Sequence, residues 1–239
     1  MLTNTIFSCI IVLSNEREVQ KKKMNYIVFD CETANTMDDP FVYDLGWSVI
    51  DDNFNVLVER SFVNADIFIE EKDLMKVAYF ADKIPQYVAE IADGTRELRR
   101  FETIRRAFAL DCEMFGVTEI YAHNARFDYK ALQTTQRYLT KSKYRWFFPF
   151  GVEICDTLKM ARQTFGKCDE YKEFCIENGF TLANGKTPRF TAEILYRFIT
   201  KDLQFEEEHT GLADVRIERE IFRHCVQMDP SIERRLWVK

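Results

Sequence analysis

The stretch YIVFDCET at residues 26–33 joins a short apolar run to two carboxylates. Aromatic and β-branched residues fill its first four positions, which predicts a buried strand with Asp30 and Glu32 at its end. Because side chains two positions apart point to the same face of a strand, the two carboxylates project together while Cys31 turns into the sheet. Such a pair repels itself and favours a hard divalent cation. Acid-x-acid pairs are common in a chain with 39 acidic residues, so two solvated carboxylates are the alternative for this motif alone.

The elements predicted around this strand define the fold class. We expect strands at 46–50 and 56–63, which form an antiparallel start to a sheet. Two further strands, at 118–121 and 152–155, alternate with helices, and Asp156 can cap the helix that follows it. The predicted helices span residues 95–115, 127–139, 171–177, 192–200 and 211–226. This order predicts an α/β fold in which a mixed sheet is flanked by helices.

The first 23 residues do not continue this pattern. The apolar run at 6–13 is too short to span a bilayer, which takes about 20 residues, and no basic residue precedes it as in a signal peptide. We expect residues 1–23 to be an appendage, with a partner-binding or membrane-seeking arm as the alternative. Residues 24–239 are expected to form one domain, and no segment of the sequence predicts a transmembrane helix.

Composition limits the class of protein further. The 239 residues are 46% hydrophobic, so the chain can bury a sizeable core. Its net charge of −6 argues against a protein that coats duplex nucleic acid, although an acidic chain can act on nucleic acid where metal ions offset its carboxylates. The seven cysteines are unevenly spaced and include no C-x-x-C pair. This usage predicts the reduced thiols of a cytoplasmic protein, without a zinc site or a disulfide framework.

Two more motifs supply carboxylates from later in the chain. HNARFD at residues 123–128 follows a predicted strand and opens a helix, so Asp128 lies in the first turn and Phe127 can anchor the helix in the core. An acid that only complements the helix dipole is the alternative. In HTGLAD at residues 209–214, five positions would place two helical residues about 140° apart. His209 is therefore predicted in the loop before the helix, with a mobile imidazole, and Asp214 within the helix.

All three histidines have an aspartate five positions later, so spacing alone does not select one. Asp229 precedes Pro230 beyond the predicted end of a helix, where a rigid ligand is not expected. His224 lies near a helix C-terminus, where it is favourable with the dipole. These contexts favour His209 as a general base, while His123 stays open as an alternative base or as a turn histidine.

Taken in order, the three motifs resemble the signature blocks of the DEDDh exonucleases, the DnaQ-like enzymes of the ribonuclease H fold that include proofreading subunits and ribonuclease T. The matching residues are Asp30, Glu32 and Thr33, then His123, Asn124, Ala125, Phe127 and Asp128, then His209 and Asp214. The resemblance covers residues 24–226 and departs at Gly211, where relatives often carry Ala. Segment 171–205 is poorly covered by the general pattern and is similar in layout to phage-encoded members.

The resemblance implies a ribonuclease H-like fold and a metal-dependent 3′→5′ exonuclease that releases 5′-mononucleotides. The metal ligands it implies, for two Mg²⁺ or Mn²⁺ ions, are Asp30, Glu32, Asp128 and Asp214. It assigns His209 as the general base, whose ordinary pKa suits that role near neutral pH. Thr33, Asn124 and Phe127 would bind the substrate, and a β-favouring residue without substrate contact is the alternative for Thr33.

The predicted substrate is the 3′ end of single-stranded DNA, and a DNA polymerase is a candidate partner. Trimming of RNA 3′ ends, as by ribonuclease T, is the alternative activity. A protein of another class, an inactive fold kept as a nucleic-acid-binding or polymerase-binding subunit, is the remaining alternative. The intact acidic quartet and His209 count against an inactive fold.

Two basic regions stand out in this acidic chain. The first lies along the predicted helix at 95–115 and comprises Arg96, Arg99, Arg100, Arg105 and Arg106. The second interleaves cations and aromatics and comprises Arg137, Tyr138, Lys141, Lys143, Tyr144, Arg145, Trp146 and Phe147. We interpret the first as a solvated helix face, and the second as either a single-strand-binding surface or an amphipathic loop.

Overall fold

A computed structural model describes residues 24–143 and 145–237 and shows a mixed sheet of six strands. The strands are β1 (Asn25–Asn35), β2 (Pro40–Asp51), β3 (Val56–Asn64), β4 (Glu97–Arg99), β5 (Glu119–Ala122) and β6 (Glu153–Asp156). Their order across the sheet is β4-β3-β2-β1-β5-β6. The first three pair antiparallel as a meander, whereas β4 joins β3, β5 joins β1 and β6 joins β5 in parallel. The α/β fold with a mixed sheet is therefore confirmed.

Helices cover both faces of this sheet. They are α1 (Ala65–Phe68), α2 (Lys72–Lys76), α3 (Ile84–Ala92), α4 (Phe101–Met114), α5 (Ala125–Leu139), α6 (Thr157–Thr164), α7 (Asp169–Glu177), α8 (Ala192–Thr200) and α9 (Gly211–Met228). In the described part of the chain, no helix has both the length and the apolar character needed to cross a membrane. The cysteines described there are all free thiols, in agreement with the predicted lack of a disulfide framework.

Alternation along β1 divides the core into two layers. Ile27 and Phe29 pack with α4 and α5 on one face, whereas Tyr26 and Val28 pack with α6 and α9 on the other. Side chains on successive residues of a strand point to opposite faces. The even-numbered acids of β1 therefore project on the face that α9 covers. A third cluster joins α1–α3 to the outer end of β2.

The structure extends some predicted elements and adds others. The acidic pair lies inside β1, which continues to Asn35, and not at the end of a strand. The predicted helix at 95–115 is wrong in its first turn, because β4 occupies Glu97–Arg99 and the helix begins at Phe101. Helices α1–α3 were not predicted, since short amphipathic segments carry little periodic signal. Residues 1–23 lie outside the described residues, and their role as an appendage stays a prediction.

Helix α9 lies directly against β2 through two glycines. A Cβ atom built on Gly46 would be 2.4 Å from the backbone N of Leu212, and one built on Gly211 would be 2.8 Å from the backbone N of Gly46. Real Cβ atoms do not approach backbone so closely, so only glycine permits this approach. Gly46 is also the ladder partner of Asp30. The contact therefore sets how near the first turn of α9 lies to the acids of β1.

We predict that Gly211→Ala destabilises the protein, because its new methyl group forces α9 away from β2. Overpacking of this kind costs about 1–3 kcal/mol, which should appear as a lower urea midpoint followed by circular dichroism. Gly166→Ala is the matched control, because its Cβ would meet only the Phe190 ring at an ordinary 3.6 Å. A Gly211→Ala midpoint equal to that of the control would contradict the close-approach argument.

Candidate functional site

Strand β1 presents Asp30 and Glu32 at the place where the sheet opens. Pairing with β5 ends at Val28, so the two acids lie beyond the last paired residue on that side. The β1–β2 ladder shifts register between Glu32 and Thr33, because β2 contributes one extra residue, Tyr43, at this point. Bulges of this type re-aim side chains beside functional sites. Cys31 is buried on the opposite face, as predicted.

Helix α5 brings Asp128 to the same place. Asp128 lies in the first turn of the helix and is 2% exposed. Its Oδ1 accepts hydrogen bonds from the Cys31 backbone N–H at 3.3 Å and from the Cys31 thiol at 3.2 Å. The Asp128 carboxylate is thus hydrogen-bonded to β1. An acid that only complements the dipole of α5 would not require this contact.

The first turn of α9 completes the cluster from the other side of β1. Asp214 is buried, and its Oδ1 has no hydrogen-bond partner within the described residues. Ligand atoms of Glu32, His209 and Asp214 all lie within 4.8 Å of one another. This compact group joins one strand, one loop and one helix that are far apart in sequence. Asp30 and Asp128 are not part of this compact group, but they lie close to it: Asp128 raises the pKa of Glu32, and Glu32, Asp128 and Asp214 all raise the pKa of Asp30.

His209 lies in the loop before α9, as predicted, but its ring is not free to move. The ring stacks on Phe80, with centroids 4.3 Å apart and planes 14° apart. The residue has a left-handed φ of 51°, which turns the chain sharply into the helix. Partial burial lowers the pKa of His209, and the nearby Lys83 lowers it further. The lowered pKa favours a neutral imidazole at neutral pH, and one of its ring nitrogens lies within 4.8 Å of carboxylate oxygens of Glu32 and Asp214.

Crowding of carboxylates in a buried place shifts their pKa values strongly upward. Burial is the largest cause in each case, and repulsion by neighbouring acids adds to it for Asp30, Glu32 and Asp214. The pKa is raised to about 7 for Asp128, about 8 for Glu32 and about 9 for Asp214, and that of Asp30 is raised well above its ordinary value. At neutral pH the group therefore holds protons that a bound cation would displace.

Two further acids in this cluster were missed from the sequence. Glu218 is 3% exposed, accepts the backbone N–H of His123 at 3.1 Å, and repels Asp30 and Asp214. It follows Asp214 by four positions, a spacing that places both on one helix face and that could have revealed it. Glu207 lies in the loop, with Oε2 3.8 Å from Nδ1 of His209, and burial raises its pKa to about 7. No sequence pattern marks Glu207.

A buried network on β2 fixes the start of α9. Asp44 is fully buried, and its Oδ2 accepts hydrogen bonds from the Tyr87 hydroxyl at 2.7 Å, from Arg96 at 2.9 Å and from the Gly211 backbone N–H at 2.9 Å. Arg96 also pairs with Glu90. The network ties β2, α3 and the segment before β4 to the first residue of α9. It therefore positions the turn that carries Asp214.

The other two histidines are engaged elsewhere. Both ring nitrogens of His123 have partners, the Thr157 hydroxyl at 3.0 Å and the Phe190 carbonyl at 2.7 Å. Burial lowers the pKa of His123, so the ring has neither a free nitrogen nor a tendency to take up a proton. Nδ1 of His224 lies 2.9 Å from the Glu220 carbonyl on α9. With both ring nitrogens engaged, His123 has the contacts of a structural residue, which favours His209 over it as the base.

The three predicted substrate contacts lie at the rim of the cluster. Thr33 is partly exposed on β1, and Asn124 is exposed at the start of α5 with a left-handed φ of 69°. The Asn124 backbone N–H donates to Asp156 at 3.1 Å, and Asp156 also caps α6, as predicted. Phe127 is only partly buried and belongs to no core cluster of the described chain, so the prediction that it anchors α5 is wrong. Small residues and Leu132 anchor the helix instead.

The two basic regions differ in how their charges are used. Each arginine of the first region pairs with acids, including Glu97, Glu102 and the Asp66–Glu70 pair, so this surface offers no free cations. The second region divides, because Phe147 is buried in the core whereas Trp146 is exposed. Tyr138 donates to Glu71, and Tyr144 lies outside the described residues.

The cluster has the donor set of a divalent cation site. It offers carboxylate oxygens with one imidazole nitrogen, a combination that suits Mg²⁺ and Mn²⁺ and also admits Zn²⁺. The buried Asp214 Oδ1 without a partner fits this interpretation, because an unpaired buried oxygen is costly unless an ion or a proton meets it. The residues present therefore fit the metal that the sequence implies.

Comparison with solved structures relates the whole fold to E. coli exonuclease I. Its zinc-bound complex with single-stranded DNA matches with a TM-score of 0.53 at 15% identity, over 87% of this chain and 41% of that chain. Its complex with a dA16 oligonucleotide matches equally. Its complex with SSB-Ct matches with a TM-score of 0.53 at 14% identity, over 87% of this chain and 42% of that one. No protein-family model and no curated protein matches the sequence.

At this identity the likeness establishes a shared fold. The chain spans about two fifths of the length of exonuclease I. The mixed sheet flanked by helices agrees with the predicted ribonuclease H-like architecture, and no comparison supports a phage origin.

We predict that the metal-free protein loses stability as pH rises. The folded state keeps protons on Asp128, Glu32 and Asp214 up to about pH 7, 8 and 9, whereas unfolded carboxyls release theirs near pH 4. This stabilising contribution is full below about pH 4 and is lost as pH rises through those values. Melting temperatures in EDTA should fall between about pH 5.5 and pH 9, and Mn²⁺ at high pH should restore them.

Asp214→Asn supplies the control for this pH effect, because its amide does not titrate and its profile should be flatter. A wild-type melting temperature that rises with pH in EDTA would show that the carboxylates are not crowded in the folded state.

Proposed function

We propose that this protein is a metal-dependent 3′→5′ exonuclease that removes 5′-mononucleotides from the 3′ end of single-stranded DNA. One observation carries the proposal. Carboxylates from β1, α5 and α9 converge beside a neutral histidine, on a fold shared with a nuclease whose solved complexes contain single-stranded DNA. Because those complexes contain DNA strands, DNA is the first substrate to test.

Asp30, Glu32, Asp128 and Asp214 would hold two Mg²⁺ or Mn²⁺ ions. When bound, such ions supply an activated water and stabilise the leaving 3′ oxygen. These ligands come from β1, α5 and α9, so regular secondary structure carries each of them. Glu218 adds negative charge beside these ligands. It also accepts a hydrogen bond from the backbone N–H of His123, just before α5.

His209 serves as the general base in this proposal. It accepts the proton of the attacking water at a ring nitrogen, while the phosphodiester bond to the 3′ oxygen breaks. Stacking on Phe80 fixes the ring plane, and Lys83 keeps the ring neutral before the reaction. Oε2 of Glu207 lies 3.8 Å from Nδ1, where the ionised carboxylate would stabilise the imidazolium that forms. The products are a 5′-mononucleotide and a strand that is shorter by one nucleotide.

Thr33, Asn124 and Phe127 line the entrance and are proposed to contact the terminal nucleotide. Phe127 is partly exposed and could stack on a base, and Thr33 and Asn124 offer polar groups to the sugar and phosphate. Association with a DNA polymerase and a cytoplasmic location stay predictions from the sequence.

We predict that Asp30→Ala and Asp214→Asn abolish shortening of a 5′-labelled dT20 strand in Mn²⁺, because each removes a metal ligand. His209→Ala should lower the rate by about 10²–10⁴-fold while Mn²⁺ still raises the melting temperature. The products are followed on denaturing gels, with EDTA as the metal-free reference and rU20 as the RNA substrate.

The matched controls for this assay are His224→Ala and Asp229→Asn, which change another His–Asp pair with the same spacing. Both should digest dT20 at the wild-type rate. Shortening of rU20 alone would assign the protein to RNA, and full activity of Asp214→Asn would remove the proposed site.

A further inference from the structure

Three exposed aromatic side chains form a patch beside α5, on the side of the sheet away from α9. Phe150 is fully exposed, and Trp146 and Trp237 are 53% and 47% exposed. They line one depression of about 550 Å³, whose only acid among the lining residues, Glu153, is paired with Arg235 at 2.6 Å. Large aromatic rings usually bury most of their surface, so three open rings in one place indicate a binding surface.

A row of cations adjoins this patch along the outer face of α5. Arg126, Lys130 and Arg137 line a second depression that contains no acid and that shares Trp237 with the first. With a rise of 1.5 Å per residue, the row is about 16 Å long. Within the described chain neither arginine has an ion pair, and Lys130 donates only to the Met37 carbonyl. These cations are unlike the arginines near α4, which all pair with acids.

The row starts in the turn of α5 that also carries Asp128, on the opposite side of the helix, and runs towards the C-terminal end of α5. Asp128 faces β1 from the first turn of α5, and Arg126 lies two positions earlier on the outer side of the same turn. Two positions on a helix differ by about 200°. A strand that leaves the site past Asn124 at the start of α5 would therefore meet the cations first and the aromatic rings afterwards.

This combination of charges and rings matches single-stranded nucleic acid. Phosphates need unpaired cations at regular intervals, and unpaired bases need flat apolar faces on which to stack. A protein partner would call for a core depleted of charge, which the open cations of α5 do not provide. The complementarity is local, since the chain as a whole is acidic.

We propose that Arg126, Lys130, Arg137, Trp146, Phe150 and Trp237, the basic–aromatic face, bind the part of a single-stranded DNA that lies 5′ of the nucleotide in the candidate site. The cations contact its phosphates and the rings stack on its bases. This inference rests on the proposed function only for the direction of the strand. Both the surface and its affinity can be measured without hydrolysis.

The first test measures binding of 5′-labelled dT20 by fluorescence anisotropy in EDTA, where no strand is cut. The double variant Trp146→Ala/Phe150→Ala should raise the Kd roughly five- to a hundredfold, the range for loss of base stacking. Ile176→Ala and Lys186→Gln are matched exposed controls outside the face and should keep the wild-type Kd. Because Trp47 is buried, quenching of tryptophan emission by dT20 reports on Trp146 and Trp237 directly.

The second test separates charge from stacking. Arg137→Gln should reduce the slope of log Kd against log salt by about 0.7, the value for one phosphate contact on a single strand. The aromatic double variant should keep the wild-type slope. If both variants match the controls in Kd and in slope, the face does not bind the strand and the inference is overturned.

A third measurement keeps this inference distinct from the proposed function. The ratio of kcat/KM for dT20 to that for dT3 should fall in the aromatic double variant, because only the long strand reaches the rings. Wild-type protein that binds dT20 through the face but cuts no strand would overturn the exonuclease and support the face. Wild-type ratios in the variant would overturn the face and leave the exonuclease standing, and weakened binding of rU20 alone would overturn DNA as the occupant.

Discussion

The contact between Gly46 and Gly211 is the constraint on which the candidate site depends. Aspartate side chains are short, so Asp214 can approach Asp30 and Glu32 only if α9 lies almost against the sheet. Gly46 and Gly211 have no side chain, which permits this close approach of α9 to β2. The hydrogen bond from the Gly211 backbone N–H to the Asp44 carboxylate maintains it. Asp44 in turn is held by Arg96 and Tyr87. A few atoms of backbone contact therefore decide whether acids from opposite ends of the chain meet.

The same closeness carries an electrostatic cost that a functional site can exploit. Carboxylates that are buried together repel one another, and their pKa values rise because the charged forms are poorly solvated. A core built for stability alone would replace them with apolar residues. Here the polar cluster is kept at the point where β1 leaves β5, with a neutral histidine at its edge. Such an arrangement gains its stabilisation when a cation binds, which links folding to the proposed chemistry.

Local rules in the sequence account for much of this arrangement, whereas tertiary contacts account for what was missed. The two-residue period placed Asp30 and Glu32 on one face, and helix geometry put His209 outside α9 and Asp214 inside it. Arg96 appeared to belong to a basic helix face, but it is buried against Asp44, a partner 52 positions away that no local pattern marks. Phe127 was expected in the core and is only partly buried, whereas Phe147 was expected in the second basic region and is buried. Hydrophobicity alone does not determine which of two phenylalanine rings faces the core. Glu218 was accessible to reasoning, since its spacing from Asp214 is one helical turn.

Net charge is a poor guide to what this chain binds, because its charges are segregated. Acidic side chains cluster where β1, α5 and α9 meet, whereas the arginines near α4 form ion pairs with neighbouring acids. Among the described residues, the cations on the outer face of α5 have no ion-pair partner. Without divalent ions the acidic cluster repels a phosphate, and with them its field is offset. In our proposal the basic–aromatic face attracts phosphates in either case. Capture of a strand along α5 and admission of its 3′ end to the site would then be separate events, and only the second would need metal.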